Sequence, residues 1–211
     1  MLEYNDYLKI FISLIAIVNP LGAIPIFVDL IKGMADQERH RIINVVATTV
    51  GLILLTSLLF GEVILQFFGI TIHSFRVGGG ILLLLMSISM LHAKVSAITQ
   101  TREEAEESRD KESIAIVPLS IPLLAGPGGI STVVIAAHRA SGIGHYAVIA
   151  VEIAVLSLIL WTVLRLAPLI SKHISATGIN ISTRIMGLIL AAIAVEFIAN
   201  GLKQLFPLLA G

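Results

Sequence analysis

The chain has 211 residues, of which 56% are hydrophobic and 13% charged, with zero net charge and no cysteine. A soluble domain carries about a quarter charged residues, so the composition is that of an integral membrane protein. The even charge balance offers nucleic acid no basic surface, and the missing cysteines exclude disulfides, thiol catalysis and Cys-based metal sites.

Long, charge-poor apolar stretches recur along the whole sequence, which predicts an all-α multi-pass membrane protein rather than a β-barrel. Glu3 and Asp6, with no basic residue ahead of them, argue against a removable signal peptide. The first predicted span runs from Tyr7 to Ile31 and contains Asn19-Pro20-Leu21-Gly22-Ala23-Ile24-Pro25. A polar connector, Lys32 to Arg41, leads to the second span, Ile42 to Phe68, and the third, Phe75 to His92. The long charged segment Ala93 to Glu112 follows, and its Thr101-Arg102-Glu103-Glu104 has the pattern of a helix capping box. The fourth span, Ser113 to His138, contains Pro118-Leu119-Ser120-Ile121-Pro122-Leu123-Leu124-Ala125-Gly126-Pro127-Gly128-Gly129. The fifth runs from Tyr146 to Ile170 and the sixth from Arg184 to Phe206.

Five of the seven prolines fall in the windows 19–25 and 118–129. Proline lacks the backbone donor and clashes with the preceding helical turn, so the first and fourth spans are predicted to be broken helices. Irregular backbone inside a membrane is tolerated only where protein or a water-lined cavity satisfies its polar groups.

The two halves resemble each other. Gly69-Ile70-Thr71-Ile72, followed by Arg76, parallels Gly178-Ile179-Asn180-Ile181, followed by Arg184. Arg76 and Arg184 are 108 residues apart, and Pro20 and Pro127 are 107 apart. Each half holds three spans, an odd number, so a duplicated second half must sit upside down relative to the first. The predicted organisation is therefore two inverted three-helix repeats, residues 1–92 and 113–211, joined by the charged loop 93–112. Of the 14 Lys and Arg, four fall on one side: Lys9, Arg76, Arg139 and Lys203. The other ten, including those of the loop, fall on the opposite side, which is expected to be cytoplasmic, with both termini outside.

The motifs Asn19-Pro20-x-Gly22-x-x-Pro25-x-Phe27 and Pro118-Leu119-x-x-Pro122-Leu123-x-Ala125-Gly126-Pro127-Gly128-x-Ile130 resemble those of the MarC-type family of integral membrane proteins. The resemblance covers the whole chain. It implies a protein of the bacterial inner membrane and, for the members that are transporters, small neutral amino acids such as glycine and alanine as cargo.

The residues themselves point to chemistry of the same kind. A break in a spanning helix frees N–H groups at the start of one half-helix, which suit a carboxylate, and C=O groups at the end of the other, which suit an ammonium. Two breaks meeting near the midplane would hold a zwitterion without a charged side chain, with the second break on the carboxylate and the first facing the ammonium. The candidate substrate-binding residues are Asn19, Pro20, Gly22, Pro25, Gly126, Pro127, Gly128, Gly129, Ser131 and Thr132. The alternative for these residues is that Gly and Pro only permit kinks and close packing. Glu196, in the sixth span, either carries a coupling proton or locks to Asn200 one turn on. Proton and sodium both remain open as coupling ions. Arg76 and Arg184 are either interfacial anchors or gating residues. Asp29, Glu62 and Glu152 read as interfacial, as do His40, His73, His92, His138, His145 and His173. No pair of histidines has metal-ligand spacing, and no cofactor is expected. Gly78-Gly79-Gly80 reads as close helix packing, because no strand precedes it as in a phosphate loop. No Ser/His/Asp constellation or nucleotide-binding motif is visible, so the expectation is a gradient-driven secondary transporter and not an enzyme. A non-coupled channel, an efflux pump for other small molecules and an accessory membrane protein are the alternatives. The oligomeric state is not encoded visibly.

Overall fold

The computed structural model describes residues 2–31, 33–92, 124–174 and 176–207. The charged loop with its capping box, and the first half of the fourth predicted span with Pro118 and Pro122, lie outside the described residues. Seven α-helices and no strands are present among the described residues: α1 Tyr4–Val18, α2 Ile24–Leu30, α3 Asp36–Phe67, α4 Ile72–Leu91, α5 Pro127–His138, α6 Ile143–His173 and α7 Ala176–Leu205.

Four of these, α3, α4, α6 and α7, are long and apolar enough to cross a membrane, and they coincide with the second, third, fifth and sixth predicted spans. The first span is divided between α1 and α2, as its prolines require, and α5 is the second part of the fourth. Helix α3 starts six residues ahead of its predicted span because the polar connector is itself helical. Asp36 and Glu38 occupy its first turn, where carboxylates favour the helix N-terminus, and Arg39 pairs with Asp36. Just past the end of α3, Gly69 takes φ 66° and lets Ile70 N–H reach back to the Leu65 carbonyl at 2.9 Å. Thr71 then caps α4, its Oγ1 accepting from Ser74 N–H at 3.1 Å. The aligned Gly178 behaves differently, because α7 is already helical from Ala176. The two halves are thus not identical in local structure at this landmark.

Each long helix has an inward and an outward face. On α6, Ile149, Ile153, Leu156, Leu160, Leu164 and Ala167 are fully buried and recur every three or four residues. Between them Val151, Val155, Leu158, Leu166 and Leu169 are exposed. An outer surface of branched aliphatic side chains on every long helix suits hydrocarbon rather than water. The buried face of α6 packs against α3, whose Ile43, Val46, Val50, Leu54 and Leu58 belong to the same core together with Val18, Ile24, Phe27 and Leu124. Helix α4 runs along α7, the most extensive helix pair in the structure, and Ile17, Leu83, Leu190 and Ala194 form a smaller core beside it. Helix α5 lies between these two assemblies, touching α1, α3, α4 and α6.

Candidate functional site

Helix α1 ends at Asn19, which adopts the left-handed conformation at φ 44°. Asparagine reaches this region more easily than most residues because its short side chain can bond locally. Here its Oδ1 accepts from Gly22 N–H at 3.2 Å, and the Asn19 carbonyl accepts from Ala23 N–H at 3.3 Å. A Cβ on Gly22 would lie 2.9 Å from Asn19 Cγ, so the two residues are matched to each other across the turn. Pro20 is buried and removes the donor that the Ala16 carbonyl would have met. Pro25 is exposed in the first turn of α2, where the missing N–H costs nothing.

The second break ends at Gly126, the extended residue that opens α5, with Pro127 at the first helical position. Gly126 has no side chain to cap the helix, so the amides of Gly128 and Gly129 begin α5 without an intrahelical acceptor. Both glycines are buried. A Cβ on Gly128 would lie 2.5 Å from Leu83 Cδ2, 3.3 Å from Ile17 Cγ2 and 3.3 Å from Met86 Sδ. The last turn of α1 and the first turn of α5 are therefore neighbours, with α4 against both. At the other end of these helices, Arg139 Nη2 donates to Asp6 Oδ1 at 3.0 Å. Helices α1 and α5 thus start and finish at one end of the molecule, and both breaks lie roughly 18–22 Å inside it, at 1.5 Å per residue. The carbonyl end of α1, partially negative, sits beside the amide end of α5, partially positive.

Ser131 and Thr132 are buried, and both hydroxyls donate to their own helix. Ser131 Oγ bonds the Pro127 carbonyl, and Thr132 Oγ1 bonds the Gly128 carbonyl at 2.9 Å. Their protons are thereby committed, and what each can still offer is acceptor capacity.

Thr132 also lines a polar cavity of about 280 Å³ that opens toward the Asp6–Arg139 end. Asp6, Lys9 and Ser13 of α1 form one wall, and Arg76 of α4 and Arg139 face them. Glu196 and Asn200 of α7 complete it. Glu196 is the twenty-first residue of the 30-residue α7, closer to the middle of the helix than to its end. It makes no hydrogen bond to Asn200. The Nε of Arg76 is shielded from solvent and has no hydrogen-bond partner among the described residues. Arg184 is exposed in the other part of α7, about 18 Å along the helix from Glu196. The structure thus brings Glu196, Arg76 and Thr132 together, keeps Arg184 apart, and separates this cavity from the turn at Asn19.

The sequence reading missed Asp6, Lys9, Ser13 and Arg139. A signal was available for three of them: positions 6, 9 and 13 are polar on one face of an otherwise apolar helix. Arg139 is 133 residues from Asp6 and carries no such pattern. The histidines were expected at the interface, and His138, exposed and 3.1 Å from the Glu62 carboxylate, fits that. His145 does not, being fully buried at the start of α6. Its Nε2–H donates to the Ala136 carbonyl at 2.9 Å, and its Nδ1 is hydrogen-bonded with the Tyr7 hydroxyl, also at 2.9 Å. Full hydrogen bonding on both nitrogens is what makes that burial tolerable. Glu152 was also expected at the interface. It is half-buried within α6, with Oε2 shielded and without a hydrogen-bond partner among the described residues.

The sequence matches the model of the MarC family of integral membrane proteins over residues 4–206. It is 41% identical over 205 residues to the UPF0056 membrane protein YhcE of Escherichia coli, covering 97% of this chain and 95% of the relative. It is 41% identical over 207 residues to the UPF0056 membrane protein YvbG of Bacillus subtilis, covering 98% of each. An archaeal relative, the UPF0056 membrane protein MJ1677 of Methanocaldococcus jannaschii, is 40% identical over 202 residues, 96% of this chain and 98% of its own. No solved structure matches the chain. A match across nearly the whole length, on top of an all-helical fold with lipid-suited outer faces, makes the conclusion plain: this chain belongs to the MarC family of integral membrane proteins.

Proposed function

We propose that the protein is a secondary transporter of small neutral amino acids, of the glycine and alanine class, working by alternating access and driven by a gradient. The observation that carries this reading is the meeting of the carbonyl end of α1 and the amide end of α5 in the interior, through Ile17 and Gly128. A zwitterion presents one group to each end. The carboxylate lies on the amides of Gly128 and Gly129, and the ammonium faces the carbonyls released at Pro20. Ala125 and Gly126 at the second break line a cavity of about 810 Å³ between α4 and α5, together with Gly78, Gly79 and Ser131. Pro127 and Pro25 hold the two half-helix starts, and the Asn19–Gly22 turn shapes the first break.

The same reading takes the six spans as two inverted repeats in a cytoplasmic membrane, with both termini outside. Its support is the pairing of equivalent elements: α3 with α6, and α4 with α7. A reciprocal pair exists too, since α2 packs on α6 and α5 packs on α3. Such pairings are what a two-fold axis in the membrane plane generates. Glu196 is our candidate for coupling a proton or sodium, and Arg76 for gating. The chemistry is not enzymatic in this reading and uses no cofactor.

The test is counterflow of labelled glycine or alanine into liposomes holding the purified chain. Exchange is expected in the wild type and should fall at least about tenfold in Gly126→Leu, which places a side chain over the start of α5; a one-contact loss of about 1.4 kcal/mol is already tenfold. No uptake, exchange or binding of any small amino acid by the wild type would overturn the assignment.

A further inference from the structure

We infer that the polar cavity at the Asp6–Arg139 end is a second binding site for the same cargo, a vestibule that takes a zwitterion before it reaches the breaks. The identity of the ligand rests on the transporter reading above; the existence of the site rests on the cavity itself.

Five charged groups line this cavity, and they are not equally engaged. Arg139 and Asp6 are committed to each other at 3.0 Å. Arg76 and Glu196 form no ion pair with each other or with any other described residue, although they share the cavity. The remaining charge, Lys9, stands on the exposed side of α1. Arg76 is the most telling of the open groups. Its Nε is excluded from solvent and meets no acceptor among the described residues, an expensive state for a guanidinium hydrogen beside apolar helices. Arg76 lines the cavity, and its positive charge suits a carboxylate that enters there. Glu196 then faces the ammonium from the α7 wall. An uncommitted anion, Glu196, and the uncommitted cations Arg76 and Lys9 share this small cavity, so both ends of an amino acid find a partner in it.

Size agrees with this. About 280 Å³ lies just below the roughly 300–1,000 Å³ of pockets that hold drug-sized ligands, and above what one or two waters need. The floor of the cavity includes Thr132, which is bonded to the Gly128 carbonyl at 2.9 Å. The vestibule is therefore tied to the first turn of α5 through one hydrogen bond.

Equilibrium dialysis of the full chain in detergent with labelled alanine tests the assignment. The wild type should bind two alanines per chain. Arg76→Gln and Glu196→Gln should each lose one of them and keep the other. Alaninamide, which lacks the carboxylate, and propionate, which lacks the ammonium, should each compete at least about tenfold more weakly than glycine for the site those variants lose, one charged contact being worth more than 1.4 kcal/mol. Arg76→Lys should retain two sites, which separates loss of charge from loss of fold. Glu196 is exposed, so its substitution leaves the packing intact and decides the matter if Arg76→Gln does not fold. One site in the wild type, unchanged in Glu196→Gln, overturns the vestibule and leaves the breaks as the binding site. No alanine or glycine bound by the wild type overturns both readings.

Discussion

Asn19 holds a left-handed backbone at φ 44°, and its side chain is spent on the turn rather than offered to the cavity. Alanine in its place loses the bond to Gly22 and meets the left-handed penalty of about 1–2 kcal/mol, whereas glycine adopts the conformation freely. We expect Asn19→Ala to lower the unfolding temperature in detergent and to transport poorly, and Asn19→Gly to recover both. A stable Asn19→Gly protein without counterflow would instead put the Asn19 amide on the ligand. Ser131 and Thr132 make the same point more gently, since the residue type suggests donors and the helix has already claimed their protons. Tyr7, His145 and the Ala136 carbonyl form a bonded chain joining α1, α5 and α6 near the mouth of the polar cavity. Each member leaves a buried partner unpaired if removed, so this chain pins the outer ends of three helices.

At the scale of elements, the glycines of α4 and α7 explain how those helices approach. A Cβ on Gly80 would lie 2.7 Å from Ile198 Cγ1 and 3.0 Å from the Ala194 carbonyl oxygen. One on Gly201 would lie 2.6 Å from Val77 Cγ2 and 3.0 Å from the His73 carbonyl oxygen. Between lipid-facing helices such contact is the main source of association, because lipid is as apolar as leucine. Gly78, by contrast, has nothing within 4 Å of its Cβ position. Gly80→Ala is therefore expected to cost about 1–3 kcal/mol through overpacking. Gly78→Ala should be neutral or slightly stabilising, by up to about 1 kcal/mol, as for any open helical glycine. Thermal unfolding of the two variants in detergent checks the contrast, and equal losses would show that the α4–α7 seam is looser than its geometry. The glycine triplet read as close packing is thus two packing residues, Gly79 and Gly80, and one that faces away.

For the whole molecule, orientation follows from charge asymmetry in our reading, and the absence of cysteine makes it simple to test. Gln37 precedes the second span on the side with ten basic residues, and Ser141 lies between α5 and α6 on the other; both are exposed. In intact cells a cysteine at Ser141 should react with a membrane-impermeant thiol reagent and one at Gln37 should not. The reverse pattern would invert the protein and turn the vestibule toward the cytoplasm. The long apolar helices were legible because each keeps one composition for twenty residues or more. The starts of α3 and α7 were not, because polar residues outside the hydrocarbon extend a helix as readily as apolar residues within it.

Membrane character, the position of the four long apolar helices and the break at Asn19–Pro25 were legible in the sequence. These are local properties: apolar runs partition into hydrocarbon, and proline deletes its own donor wherever it stands. Tertiary structure alone decided which charges meet. Asp6 finds Arg139 across 133 residues, Glu196 shares a cavity with Arg76, and His145 is buried rather than interfacial. Hydropathy cannot foresee such meetings, because an apolar face is satisfied equally by lipid or by another helix. Only the packing of all the helices together determines which face turns inward and which polar groups it carries with it.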